Sequence, residues 1–197
     1  MDVRTVLTSP EDLASANLEA LVLLLPVDRA QWALAPAVAK LVDDAVLAGD
    51  LVLKAGKSLY CHRPAGLKAK RLLLVVAGDG SAKALRGAFG TAIGALRQSG
   101  AKSVLLAWGG STGLDGAAAE LLARTVDESL YTYRHTKPSA APEATLGRLQ
   151  LAVDKASQAA LKEGLKRGQA IAAGVAVARE AANRPGNCCT PTWVADE

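Results

Sequence analysis

The chain has 197 residues, of which 50% are hydrophobic and 21% are charged, enough for one domain with a substantial core. Its apolar runs are only as long as strands, so the sequence predicts no transmembrane helix and no membrane partner. The amino terminus lacks a basic block followed by an apolar run, which argues against a secretory signal and favours the cytoplasm. The net charge of +4 is too small by itself to indicate a polyanionic partner.

The charged residues are unevenly distributed along the chain, which bears on nucleic-acid binding more than the net charge does. Residues 1–50 hold three basic and eight acidic side chains, whereas residues 51–100 hold nine basic and one acidic. The second block includes Lys68, Lys70 and Arg71, which are candidate nucleic-acid-binding residues for the backbone of a duplex. In the alternative interpretation, folding places the acidic first block beside this basic block and the two fields cancel.

The first half of the chain alternates between strands and helices. An uninterrupted apolar run at 21–25 is typical of a strand buried on both faces of a sheet. Pro36 opens a helix with apolar residues at helical spacing. In residues 51–61 the pattern changes to short β segments, and Ala55-Gly56-Lys57 is the predicted turn of a hairpin.

The clearest unit is a strand, a helix and a second strand. Residues 71–77 form an aliphatic strand, Ser81 is placed to cap a helix, and residues 103–107 form the next strand. This order is typical of a βαβ crossover with parallel strands. Asp115 is placed to cap a further helix, and the rest of the chain predicts a strand at 148–153 and a long helix from about Lys155. The pattern as a whole indicates an α/β/α layer arrangement around a mixed, largely parallel sheet.

Two glycine-rich loops follow strands of this predicted sheet. Free N–H groups at the start of a helix favour anions, so the loops are a candidate site for an ADP-ribose-type ligand. The alternative is that they are only tight turns, because the phosphate-binding glycine patterns are incomplete here. The candidate ligand-binding residues are Gly78, Gly80, Ser81, Gly109 and Gly110.

No residue of the chain is predicted to be catalytic or to bind metal. The two histidines, His62 and His135, belong to no paired ligand motif. Cys188 and Cys189 lack the spacing of a zinc knuckle, and three cysteines are too few for a disulfide framework, so we expect reduced thiols.

The carboxyl-terminal residues carry a specific resemblance. The helix ending in Arg179 and Asn183, followed by Pro185 and Asn187 and then by Thr190-Pro191, is similar to the segment that joins the two domains of leucyl aminopeptidases, the cytosol aminopeptidase family. Upstream, Tyr131-x-Tyr133 with Lys137 also resembles the amino-terminal domain of that family. The sequence departs from the family at 77–80 and 135–136.

The resemblance implies a macrodomain-like amino-terminal domain at 1–153, a linker helix at 154–183 and the start of a peptidase domain at 184–197. In the family the peptidase domain holds two divalent metals, manganese or zinc, that activate water and polarise the scissile carbonyl. It also implies a homohexamer and peptide substrates for the full-length form. None of the metal-binding motifs occurs in this chain, so we expect it to be an inactive accessory domain that contacts its own peptidase domain.

Overall fold

The computed structural model describes residues 1–196 and contains a six-stranded sheet in the order β1-β6-β5-β2-β4-β3. Strand β3 pairs antiparallel with β4, and the other neighbouring pairs are parallel. No helix in this described part is long and apolar enough to cross a membrane. The strands and α-helices are β1 (Asp2–Leu7), α1 (Asp12–Ser15), β2 (Leu21–Leu25), α2 (Pro36–Leu47), β3 (Ser58–His62), β4 (Arg71–Val76), α3 (Ala82–Arg97), β5 (Ser103–Trp108), α4 (Gly116–Leu130), β6 (Arg148–Val153), α5 (Gln158–Asn183) and α6 (Pro191–Asp196).

Strand β2 forms the centre of the protein, because both of its faces are covered. All five of its residues have no exposed surface. Val22 and Leu24 face a core built with α3, α4 and α5, whereas Leu21 and Leu23 face a second core built with α1 and α2. Successive side chains of a strand point to opposite faces, so this single apolar run holds both helical layers to the sheet. The predicted three-layer α/β/α arrangement is confirmed.

The predicted helix starts are also confirmed. The Ser81 hydroxyl accepts a hydrogen bond from the Ala84 N–H at 3.4 Å, and Asp115 accepts one from the Ala118 N–H at 2.8 Å. Pro36 is the first residue of α2, where its missing N–H removes no helical hydrogen bond. These side chains fix the start of each helix directly after a strand or its loop.

The hairpin predicted around Ala55-Gly56-Lys57 is wrong. Residues 54–57 do form a turn, in which the Lys57 N–H donates to the Lys54 carbonyl at 3.0 Å, but residues 51–53 directly before it form no strand. Leu51 is buried in the α2-side core without joining the sheet. Strand β3 instead forms its hairpin with β4 through residues 63–70. The apolar alternation in residues 51–53 reflects core packing rather than strand pairing.

The βαβ unit has parallel strands, as predicted, but its two strands are not neighbours. Strand β2 lies between β4 and β5 and pairs in parallel with both. The crossover through α3 therefore spans one intervening strand. This arrangement brings the carboxyl ends of β4, β2 and β5, together with the loops that follow them, to one edge of the sheet.

Helices α4 and α5 approach closely through glycine residues. A Cβ atom added at Gly164 would lie 2.1 Å from the Gly116 carbonyl oxygen, and one added at Gly168 would lie 2.4 Å from the Glu120 carbonyl oxygen. Gly174, in the same helix, is exposed and has no neighbouring atom within 4 Å of such a Cβ. Two of the three glycines that weaken α5 as an isolated helix thus allow it to pack against α4.

Candidate functional sites in the loops and at the α4–α5 junction

The first glycine loop is held by the chain's own hydrogen bonds. Gly78 has a φ angle of +74°, which only glycine adopts readily, and its carbonyl accepts a hydrogen bond from the Val27 N–H at 3.0 Å. A Cβ at Gly78 would lie 2.9 Å from that of Ala84. The conformation of this glycine is therefore explained by the turn from β4 into α3, without any ligand.

A carboxylate of the chain lies at the start of α3, where the loop hypothesis places a ligand anion. Asp79 Oδ1 accepts a hydrogen bond from the Ser81 N–H at 3.0 Å. Hydrogen bonds from the side chain and backbone of Ser81 hold the pKa of the Asp79 carboxyl below its ordinary value. Gly80 follows with a φ angle of +79°. A phosphate at this helix start would have to compete with the Asp79 carboxylate for the N–H groups, and the negative charge of Asp79 would repel it.

The second loop is closed by the segment that follows β2. The Gly109 N–H donates to the Leu24 carbonyl, and the Gly109 carbonyl accepts from the Ala33 N–H, both at 2.8 Å. Gly110 pairs with Trp32 in an isolated antiparallel bridge, and the Ser111 N–H donates to the Gln31 carbonyl. Both backbone groups of Gly109 therefore already have partners within the protein.

The two loops lie at the same sheet edge but border different clefts. Gly78 and Ser81 line a cleft of about 750 Å³, whereas Gly110 lines one of about 180 Å³. The segment from Val27 to Gln31 bonds to the first loop at one end and to the second at the other. The structure thus does not bring the five predicted ligand-binding residues into one cavity, and the ADP-ribose-type site stays a prediction.

The candidate nucleic-acid-binding residues lie at the opposite edge of the sheet. Lys68 and Lys70 are exposed, and Arg71 reaches the Glu19 carbonyl at 3.4 Å. The Glu19 carboxylate accepts hydrogen bonds from the Lys102 and Ser103 N–H groups, which lower its pKa, and the charges of Lys70 and Arg71 lower it further. An acidic residue of the first block therefore lies beside the basic residues, and binding of DNA stays a prediction.

Metal-ligating side chains do not converge in residues 1–196. No three of the His, Cys, Asp and Glu side chains described there are grouped closely enough to hold an ion. His62 and His135 are both exposed. The two divalent metals implied by the resemblance therefore do not fit the described part of this chain.

The ends of α4 and α5 are joined by a polar network. The Tyr131 hydroxyl donates to Glu180 Oε1 at 3.1 Å and accepts from Asn183 Nδ2 at 3.2 Å. The Arg179 guanidinium lies 5.2 Å from the centroid of the Tyr131 ring and 3.8 Å from an Asp127 carboxylate oxygen. Partial burial raises the pKa of Tyr131, and the hydrogen bond to Glu180 raises it further, so the hydroxyl keeps its proton. The network joins the carboxyl-terminal ends of the two helices.

We expect Tyr131→Phe to lower the free energy of unfolding by about 1 kcal/mol, because Glu180 and Asn183 lose their shared partner. Tyr133→Phe is the matched control, since in the described residues the hydrogen bond of the Tyr133 hydroxyl is a local one, to the Thr136 hydroxyl at 2.7 Å. That control should change stability by less than about 0.5 kcal/mol. Urea denaturation followed by circular dichroism measures both variants, and equal stabilities would contradict a role for the network.

Comparison with known proteins identifies the family. Residues 15–140 match the family model described as "Cytosol aminopeptidase family, N-terminal domain". The chain belongs to the cytosol aminopeptidase family. A protein described as a probable cytosol aminopeptidase of Methylibium petroleiphilum is 43% identical over all of this chain and 40% of its own length. A protein of Azotobacter vinelandii with the same description is 34% identical over 96% of this chain and 40% of its own length.

Solved structures of low sequence identity share the fold. A mutant of tomato leucine aminopeptidase matches all of this chain and 41% of its own, with a TM-score of 0.76 and 19% identity. The bottromycin maturation enzyme BotP matches 91% of this chain and 36% of its own, with a TM-score of 0.65 and 18% identity. The chain therefore spans about two fifths of the length of these relatives and structures.

Residues that carry the family resemblance lie together at the α4–α5 junction. The sequence associated Tyr131 with one matching segment and Arg179 with Asn183 in another, but gave no sign that the two segments touch. Only the packing of α5 along α4 reveals that these side chains form one network.

Proposed function

We propose that this chain is the non-catalytic amino-terminal domain of a metal-dependent leucyl aminopeptidase that removes amino-terminal residues from peptides in the cytoplasm. The observation that carries the proposal is the match of residues 15–140 to the amino-terminal domain of the cytosol aminopeptidase family. Relatives named as probable cytosol aminopeptidases extend well beyond the matched part, which is 40% of the Methylibium protein. The catalytic residues then belong to the remainder of such a protein.

The same proposal places the two divalent metals, manganese or zinc, outside this domain. One structure of the bottromycin maturation enzyme BotP is described as a complex with Mn, which concerns that enzyme. In the described residues of this chain, no three His, Cys, Asp or Glu side chains are grouped closely enough to hold an ion. A homohexamer formed mainly through the peptidase domain and a role for the α4–α5 junction in orienting that domain are parts of the same proposal.

The test compares hydrolysis of a leucine chromogenic amide, with added manganese, by residues 1–197 and by the complete protein in which they are followed by a peptidase domain. We expect hydrolysis by the complete protein alone, and its loss when a chelator removes the metal. Activity in neither protein would overturn the aminopeptidase assignment. Activity in residues 1–197 would overturn the non-catalytic role while leaving the assignment intact.

A further inference from the structure

The connection between α5 and α6 carries two adjacent free cysteines, Cys188 and Cys189. Both are half-buried, and their backbone N–H groups donate to the same Pro185 carbonyl oxygen, at 2.8 and 2.9 Å. One acceptor shared by two successive amides indicates a tight turn. The two thiols are therefore presented from one compact turn rather than from an extended loop.

The ends of this connection are held together by other residues. The Arg184 guanidinium lies 4.2 Å from the centroid of the Trp193 ring, close enough for a cation–π contact. The Trp193 N–H also donates to the Thr190 hydroxyl at 3.2 Å. Because Arg184 precedes the cysteines and Trp193 follows them, these contacts close a short segment around the two thiols and reduce the entropy lost on binding.

The chemistry of two adjacent thiols limits what can bind them. Structural zinc takes four ligands, and the described residues offer no third side chain of the right type near the pair. A direct disulfide is strained, since neighbouring α-carbons lie about 3.8 Å apart and disulfides favour roughly 4.4–6.8 Å. A soft atom between the sulfurs lengthens the bridge and relieves that strain, and soft thiolate ligands prefer soft, thiophilic centres.

We propose that Cys188 and Cys189 form a chelating dithiol site for a trivalent arsenical. With phenylarsine oxide, two As–S bonds form, the As–O bond breaks, and the oxygen leaves as water with the two thiol protons. Arsenic remains trivalent, so no oxidant or reductant is needed. The second As–S bond forms within the same molecule, which should tighten binding by on the order of 10²- to 10⁴-fold relative to a single thiol.

The experiment incubates the reduced chain with phenylarsine oxide and measures bound arsenical by native mass spectrometry. We expect one adduct per chain that 2-mercaptoethanol does not remove and that the dithiol 2,3-dimercaptopropanol does remove. Cys188→Ser, Cys188→Ala and Cys189→Ser should each lose the resistant adduct. Cys61→Ser is the matched control and should keep it, because Cys61 lies in β3, away from the pair in the sequence and outside this turn.

Circular dichroism of each variant establishes that loss of the adduct is not loss of the fold. An adduct that 2-mercaptoethanol removes, that survives in Cys188→Ser, or that disappears in Cys61→Ser would overturn the proposal. None of these outcomes bears on the aminopeptidase assignment, which is tested separately by hydrolysis.

Discussion

Gly164→Ala should destabilise the protein by about 3 kcal/mol, at the upper end of the range for overpacked cores. The added methyl carbon would lie 2.1 Å from the Gly116 carbonyl oxygen and 2.8 Å from the carbonyl carbon. Backbone atoms cannot move aside as a flexible side chain does, so α4 and α5 would have to separate. Equilibrium unfolding in urea, followed by circular dichroism, measures the loss.

Gly174→Ala is the matched control, because it makes the same substitution in the same helix. Gly174 is exposed, and an added Cβ would meet no atom within 4 Å. Alanine should therefore stabilise α5 by roughly 0.5–1 kcal/mol through its higher helix propensity. If Gly164→Ala were as stable as Gly174→Ala, the close packing of the two helices would be refuted.

Phe89→Ala should cost about 3–5 kcal/mol, the range for removing a large aromatic side chain from a core. Phe89 has no exposed surface and is the largest of the fully buried side chains. It projects from α3 into the core that also contains Val22 and Leu106 of the sheet. The substitution loses the transfer free energy of the ring and leaves a cavity between α3 and the sheet.

Leu47→Ala is the control for Phe89→Ala, because it also truncates a large apolar side chain. Leu47 ends α2 and is 82% exposed, so its truncation should change the free energy of unfolding by no more than about 0.5 kcal/mol. Both variants are measured in the same urea titration. A loss at Phe89 no larger than that at Leu47 would contradict the placement of α3 on the sheet.

The local signals of the sequence predicted much of the fold. The run at Leu21–Leu25 indicates a doubly buried strand, and Ser81 and Asp115 indicate helix starts, because an uninterrupted apolar run and a capping side chain are both local features of the sequence. The hairpin at residues 55–57 failed for the opposite reason. Whether residues 51–53 join a ladder depends on which strand is available to pair, and β3 pairs with β4.

The candidate sites were harder to predict than the fold. Gly78 and Gly109 were correctly placed in loops after strands, but their hydrogen bonds to Val27, Leu24 and Ala33 depend on the path of the segment after β2. Similarly, Gly164 and Gly168 weaken an isolated helix by composition, and only the approach of α4 explains them. Contacts between distant parts of the chain decide both cases, and one sequence does not contain them.

The proposal that residues 1–197 are a non-catalytic domain is tested by the rate at which this purified chain hydrolyses a leucine chromogenic amide with manganese present. The complete protein serves as the positive standard. We expect a rate for residues 1–197 equal to that of buffer, and release of chromophore by the complete protein. A rate that rises in proportion to the concentration of residues 1–197 and disappears when the chain is unfolded would contradict the proposal.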